Sequence, residues 1–163
     1  MNNYRKLAYG GLIGALVFLG TYLIQIPIPG GLGYANFGDG VILISSTLLG
    51  PFAAFPAAIG SALADMFAGF PQYIPFTFTI KGLVALVPSL LLRKKTRSFR
   101  SMLLPFILAE AVMVSGYFIA DSILYGTLYA AGAVGYNLLQ GFVGVVLGIV
   151  GSVFVLKNNI SIK

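Results

Sequence analysis

Five ionisable residues stand inside or at the ends of long apolar stretches: Asp39, Asp65, Lys81, Glu110 and Asp121. Asn137 and Gln140 add two amides to the last such stretch. In a bilayer each charge near the midplane costs about 2.5–3.5 kcal/mol. Five together cost of order 10 kcal/mol, which calls for pairing, a hydrated cavity or both. The chain contains no Cys and no His. That excludes thiol nucleophiles, disulfides, thiolate or imidazole metal sites, His-ligated haem and Ser-His-Asp catalysis. An enzyme would have few candidate groups left. The remaining chemistry is the holding of a small polar molecule by hydrogen bonds, or the passing of protons.

These groups must be positioned by membrane helices. The chain has 163 residues, 58% hydrophobic and 9% charged, with a mean hydropathy of +0.96. An average soluble domain carries roughly 25% charged residues. The composition therefore indicates an all-α integral membrane protein of one domain, 1–163. Tyr4-Arg5-Lys6 precedes the first apolar run, which lacks a cleavage site and is read as an uncleaved helix. Six spans are predicted, at about 7–26, 37–50, 51–69, 75–92, 102–125 and 136–156. Gly50-Pro51 divides the second from the third. The segments 27–37, 69–75 and 126–135 are read as loops rich in Gly, Pro and aromatic or other small residues.

Charge orients the spans. Nine of the ten Lys and Arg lie at the N-terminus, in the run Arg93, Lys94, Lys95, Arg97 and Arg100, or at Lys157 and Lys163. Six spans put all nine on one side, so both termini are expected in the cytoplasm. The same asymmetry explains the net charge of +6 without nucleic acid, which the chain is not expected to bind. A multi-pass protein of the prokaryotic plasma membrane is expected.

The topology places Asp39, Asp65, Lys81, Asp121, Asn137 and Gln140 within about 10 Å of the outer boundary, on five helices. Tyr34, Tyr73, Tyr117, Tyr125, Tyr129 and Tyr136 share that layer, whereas Glu110 lies deeper and stands apart. The expectation is an outward-facing pocket for a small polar ring compound. Its candidate residues are Lys81, Asp121, Asn137, Gln140, Asp39, Tyr34, Tyr73, Tyr117 and Tyr136. Plainer roles compete. The tyrosines could form an interfacial belt. Asp39 could cap a helix, and Asp65 with Lys81 could be a structural ion pair. Gly10-xxx-Gly14 and Gly11-xxx-Ala15 on the first span, and Gly141, Gly144, Gly148 and Gly151 on the sixth, let helices approach closely. Their role is packing within the chain or docking to another membrane protein.

The stretch Asn36-Phe37-Gly38-Asp39-Gly40-Val41, followed by Leu48-Leu49-Gly50-Pro51, resembles the second helix and turn of the S components of energy-coupling factor (ECF) vitamin transporters. Gly60-Ser61-Ala62-Leu63-Ala64-Asp65, then Pro71, Tyr73, Pro75 and Ile80-Lys81-Gly82, resembles that family's third and fourth helices. The resemblance runs over about residues 5–155 and is nearest to members assigned to pyridoxine-type compounds or hydroxymethylpyrimidine. It implies a substrate-binding subunit that takes a vitamin from outside and topples to release it inward. It also implies a membrane coupling protein and two cytoplasmic ATPases as partners, with ATP and Mg held there. Gly10, Gly11, Gly14 and Ala15 would dock the coupling protein, and the segment 27–37 would close over the ligand. The residues agree: the chain has no Gly-x-x-x-x-Gly-Lys-Ser/Thr phosphate loop of its own and no cofactor site is expected in it. The alternative is a small ion or proton channel using the intramembrane acids.

Overall fold

The structure, a computed structural model, describes residues 3–92 and 98–158. The basic residues Arg93, Lys94, Lys95, Arg97 and Lys163 lie outside the described residues. Among the described residues there are six α-helices: α1 (Asn3–Tyr22), α2 (Gly38–Leu49), α3 (Ala54–Phe67), α4 (Ile74–Leu91), α5 (Phe99–Tyr125) and α6 (Thr127–Lys157). Four segments are long and apolar enough to cross a membrane: Gly38–Phe67, Pro71–Leu91, Phe99–Tyr125 and Thr127–Lys157.

The break at Gly50-Pro51 is as expected. Gly50 takes φ +61, which favours glycine, and Pro51 opens a single 3-10 turn, Gly50–Ala53, between α2 and α3. Each of these two helices spans only about 18–21 Å. α2 is the central element and packs against α1, α4 and α6. Leu43, Val84, Met102, Phe106 and Met113 fill the core, while Phe55, Leu104, Ile123, Phe142 and Val150 stand outward. That inside-out apolarity is what a lipid-facing surface requires.

Two segments differ from expectation. The segment 126–135 is helical rather than a loop. Gly126, at φ +90, is the sole break, and α6 begins at Thr127. Ala130, Ala131 and Ala133 are strong helix formers, no proline intervenes, and small residues alone do not end a helix. Asn137 and Gln140 therefore lie well inside α6, not in its first turns. The segment 27–37 is also ordered. β1 (Gln25–Pro27) pairs antiparallel with β2 (Tyr34–Asn36), with Gln25 opposite Asn36 and Pro27 opposite Tyr34. Gly30 and Gly31, both at positive φ, turn the chain between them.

The α6 glycine stripe packs within the chain. A Cβ on Gly148 would lie 2.7 Å from Leu43 Cβ on α2, and one on Gly144 would lie 3.0 Å from both Asp39 Cβ and Glu110 Oε1. This close approach lets a buried ion pair form between α2 and α4. Lys81 Nζ donates to Asp39 Oδ1 at 2.6 Å and Oδ2 at 2.8 Å, with the two side chains 1% and 0% exposed. The Tyr117 ring lies 5.3 Å from the same ammonium.

Gly148→Ala is expected to force α2 and α6 apart and lower the thermal midpoint in detergent, an overpacking effect of about 1–3 kcal/mol. Gly132→Ala, where an added Cβ meets nothing within 4 Å, should leave the midpoint unchanged or raised. Lys81→Ala leaves a buried carboxylate unpaired and should cost about 3–5 kcal/mol. The double variant Lys81→Met/Asp39→Leu should recover most of that loss in the same melting experiment.

Candidate binding site

At one end of the bundle, beneath the β1–β2 hairpin, a small, partly open chamber of about 20 Å³ gathers polar side chains from separate elements. Tyr34 and Asn36 come from β2, and Asp65 comes from the last turn of α3. Tyr73 ends the 3-10 turn Pro71–Tyr73 that leads into α4. Tyr117 and Asp121, four residues apart, share one face of α5. Asn137 and Gln140, three apart, share the buried face of α6. Ile28 and Phe70 supply apolar walls.

Hydrogen bonds fix this arrangement. The Tyr34 hydroxyl donates to Asp65 Oδ1 at 2.7 Å, and the Tyr73 hydroxyl donates to Asp121 Oδ1 at 2.5 Å. Burial, reinforced by the neighbouring Asp65 charge, holds the Tyr34 phenol well above its ordinary pKa, so it remains a donor. Thr77 and Tyr117 share a hydrogen bond of 3.0 Å. Asn36 Oδ1 accepts from the Gly38 N–H at 3.0 Å and so orients the entry to α2.

Gln140 joins the chamber to the ion pair below. Its Oε1 accepts the Asn36 backbone N–H at 2.8 Å, and its Nε2 donates to Asp39 Oδ2 at 2.6 Å. One side chain therefore bridges the hairpin to the buried carboxylate. Tyr73 packs on Tyr117 and Tyr125, with ring centroids 6.3 and 6.0 Å away. Tyr125 meets Tyr129 at 5.1 Å. These rings form an aromatic wall beside the polar groups.

Of the sequence candidates, Tyr34, Tyr73, Tyr117, Asp121, Asn137 and Gln140 meet in the chamber. Asp39 and Lys81 do not line it. They lie behind it and neutralise each other, since neither charge could be buried there alone. Asp39 is thus a pairing residue rather than a helix cap, and Lys81 takes Asp39 rather than Asp65. Tyr136 is absent from the lining because it precedes Asn137 by one residue, about 100° around α6. Glu110 does not stand apart: it packs on Gly141 and Gly144, within electrostatic reach of Asp39 and Lys81. Asn36, Asp65 and Phe70 join the lining without having been among the candidates. Asp65 was marked by its charge and depth, but as a possible ion-pair partner of Lys81. Asn36 and Phe70 carry no charge and depend on the ordering of neighbouring loops.

The four small residues of α1 divide by face. Gly10 is buried, where an added Cβ would lie 3.0 Å from the Phe52 ring, and Gly14 abuts Pro56. Gly11 has nothing within 4 Å of its Cβ position and Ala15 is exposed. All four border an apolar groove of about 820 Å³ between α1 and α3. Among the described residues no acidic, Cys or His cluster could hold a metal ion.

Comparison with known proteins fits this construction. Residues 1–156 match the family described as ECF-type riboflavin transporter, S component. The thiamine precursor transporter HmpT of Lactococcus lactis subsp. cremoris is 31% identical over 167 residues, covering 97% of this chain and 92% of that protein. An uncharacterized protein of the gap 3' region of Pyrococcus woesei is 36% identical over 141 residues, 86% of this chain and 93% of its own. The solved S component of a bacterial ECF transporter shares the fold, with a TM-score of 0.71 over 97% of both chains at 22% identity. A multi-pass protein of the cell membrane, the chain belongs to the family of ECF-type riboflavin transporter S components, the substrate-binding subunits of vitamin importers.

Proposed function

We propose that this chain captures a small pyrimidine precursor of thiamine, of the hydroxymethylpyrimidine type, for ATP-driven uptake. The observation that carries this reading is the chamber itself: hydroxyl, amide and carboxylate groups from five elements converge under the hairpin beside tyrosine faces. Two acids with phenol donors, and three amides, suit a compact ring bearing amino and hydroxymethyl groups. The volume of about 20 Å³ is near that of one water, so even a single ring must displace the hairpin or the aromatic wall. A three-ring flavin would demand far more displacement. The likeness to a thiamine precursor transporter over nearly the whole chain supports the smaller ring.

In this reading the chain crosses the membrane six times with both termini in the cytoplasm, so the chamber faces outward. Energy comes from partners: a membrane coupling protein and two cytoplasmic ATPases, which hold ATP and Mg. The outward small residues Gly11 and Ala15, on the groove between α1 and α3, offer a close-approach surface to a coupling-protein helix. The channel alternative gains no support. Asp39 and Lys81 cancel each other, and the chamber acids are hydrogen-bonded at one end of the bundle.

Calorimetric titration of the purified protein tests the ligand. 4-Amino-5-hydroxymethyl-2-methylpyrimidine is expected to bind at least tenfold tighter than riboflavin or pyridoxine, and Asn137→Ala should weaken it by about 10- to 100-fold through loss of hydrogen bonds. Tighter binding of riboflavin or pyridoxine would replace the assignment. A second measurement tests docking. Gly11→Leu/Ala15→Leu should leave binding to the isolated subunit intact but abolish co-purification with the coupling protein. Retained co-purification would place the docking face elsewhere.

A further inference from the structure

Asp65 holds an acceptor that the fold leaves unused. The residue is 6% exposed and lines the chamber. Its Oδ1 takes the Tyr34 hydroxyl, but Oδ2 is buried with no hydrogen-bond partner. Thr77 is a hydrogen-bonding neighbour of the carboxylate and shares a further hydrogen bond of 3.0 Å with Tyr117, in which either hydroxyl can donate; no donor stands within bonding geometry of Oδ2 itself. The other chamber acid differs. Asp121 also accepts a tyrosine hydroxyl, but neither of its oxygens is a buried atom without a partner.

A buried, unpaired carboxylate oxygen is costly, and the cost is relieved by a donor or by protonation of the carboxyl. Hydroxyls satisfy many sites because they turn to donate or accept. An exocyclic amino group conjugated to an aromatic ring is a planar donor, suited to an oxygen that can only accept. Resting on the pyrimidine reading above, we infer that Asp65 Oδ2 accepts the ring's exocyclic amino group. Asp65 is then the specificity-determining residue that selects amino-bearing rings over rings with hydrogen at that position. A ring lacking the amino group leaves Oδ2 orphaned beside it, and discrimination of this kind exceeds what a hydrophobic contact provides.

The test compares two probes by calorimetry: 4-amino-5-hydroxymethyl-2-methylpyrimidine and 5-hydroxymethyl-2-methylpyrimidine. The wild-type protein is expected to favour the amino compound by about 100-fold. In Asp65→Asn and Asp65→Ser that ratio should fall below tenfold. Tyr34→Phe removes the existing hydrogen bond but keeps Oδ2, so it should weaken both rings together and preserve the ratio. Equal wild-type affinity for the two rings overturns the inference without any variant. A ratio that persists in the Asp65 variants overturns it while leaving the pyrimidine reading in place. A ratio lost equally in Tyr34→Phe also overturns it, because Asp65 would then act through the hairpin. Binding of neither ring by wild-type protein overturns the pyrimidine reading itself.

Discussion

At the centre of the bundle an ammonium and a carboxylate meet with almost no exposure, Lys81 on α4 and Asp39 on α2. Either charge alone at that depth would destabilise the protein by several kcal/mol. Together they need close geometry and further hydrogen bonds, and the chain provides both. Gly144 admits α6 beside Asp39, and Gln140, one turn earlier on α6, donates to the second carboxylate oxygen. The glycine stripe of α6 thus serves electrostatics as well as packing: bulkier residues would hold the Gln140 amide away from the pair.

Part of the polar layer above that pair is tied to it. Gln140 turns its other end to the hairpin and accepts the Asn36 N–H, while Asn36 in turn orients the start of α2, on which Asp39 lies. The hairpin, α2, α4 and α6 are therefore tied through one amide and one carboxylate. The hairpin's second anchor is Tyr34 on Asp65, at the end of α3. Ile28 and Ala35 of the hairpin are also buried, so apolar packing holds it together with these hydrogen bonds.

Much of this was legible in the sequence because charge in an apolar chain is conspicuous. The apolar runs marked the helices, Gly50-Pro51 marked the bend, and the depth of Tyr34, Asp121, Asn137 and Gln140 marked a shared layer. The pairing of charges was not legible. Asp39 and Asp65 both lie near Lys81 in depth, and only the packing of α2 beside α4 decides which acid the lysine takes. Tyr136 lies outside the chamber lining for a rotational reason, since depth along a helix does not say which face a side chain occupies. The segment 126–135 failed because small residues mark loops and helices alike. Asn36 and Phe70 are ordinary residue types whose place depends on tertiary contacts of the hairpin and the turn before α4.

The central claim is that a floor of paired charges supports a ligand chamber beneath the hairpin. A crystal structure of the protein grown with 4-amino-5-hydroxymethyl-2-methylpyrimidine tests it most directly. The account predicts ring density among Asp65, Asp121 and Asn137, with Lys81 still on Asp39 and the hairpin or aromatic wall shifted to make room. Ring density in the α5–α6 groove beside Glu110, or a ligand bound to Lys81 with Asp39 released, would contradict it.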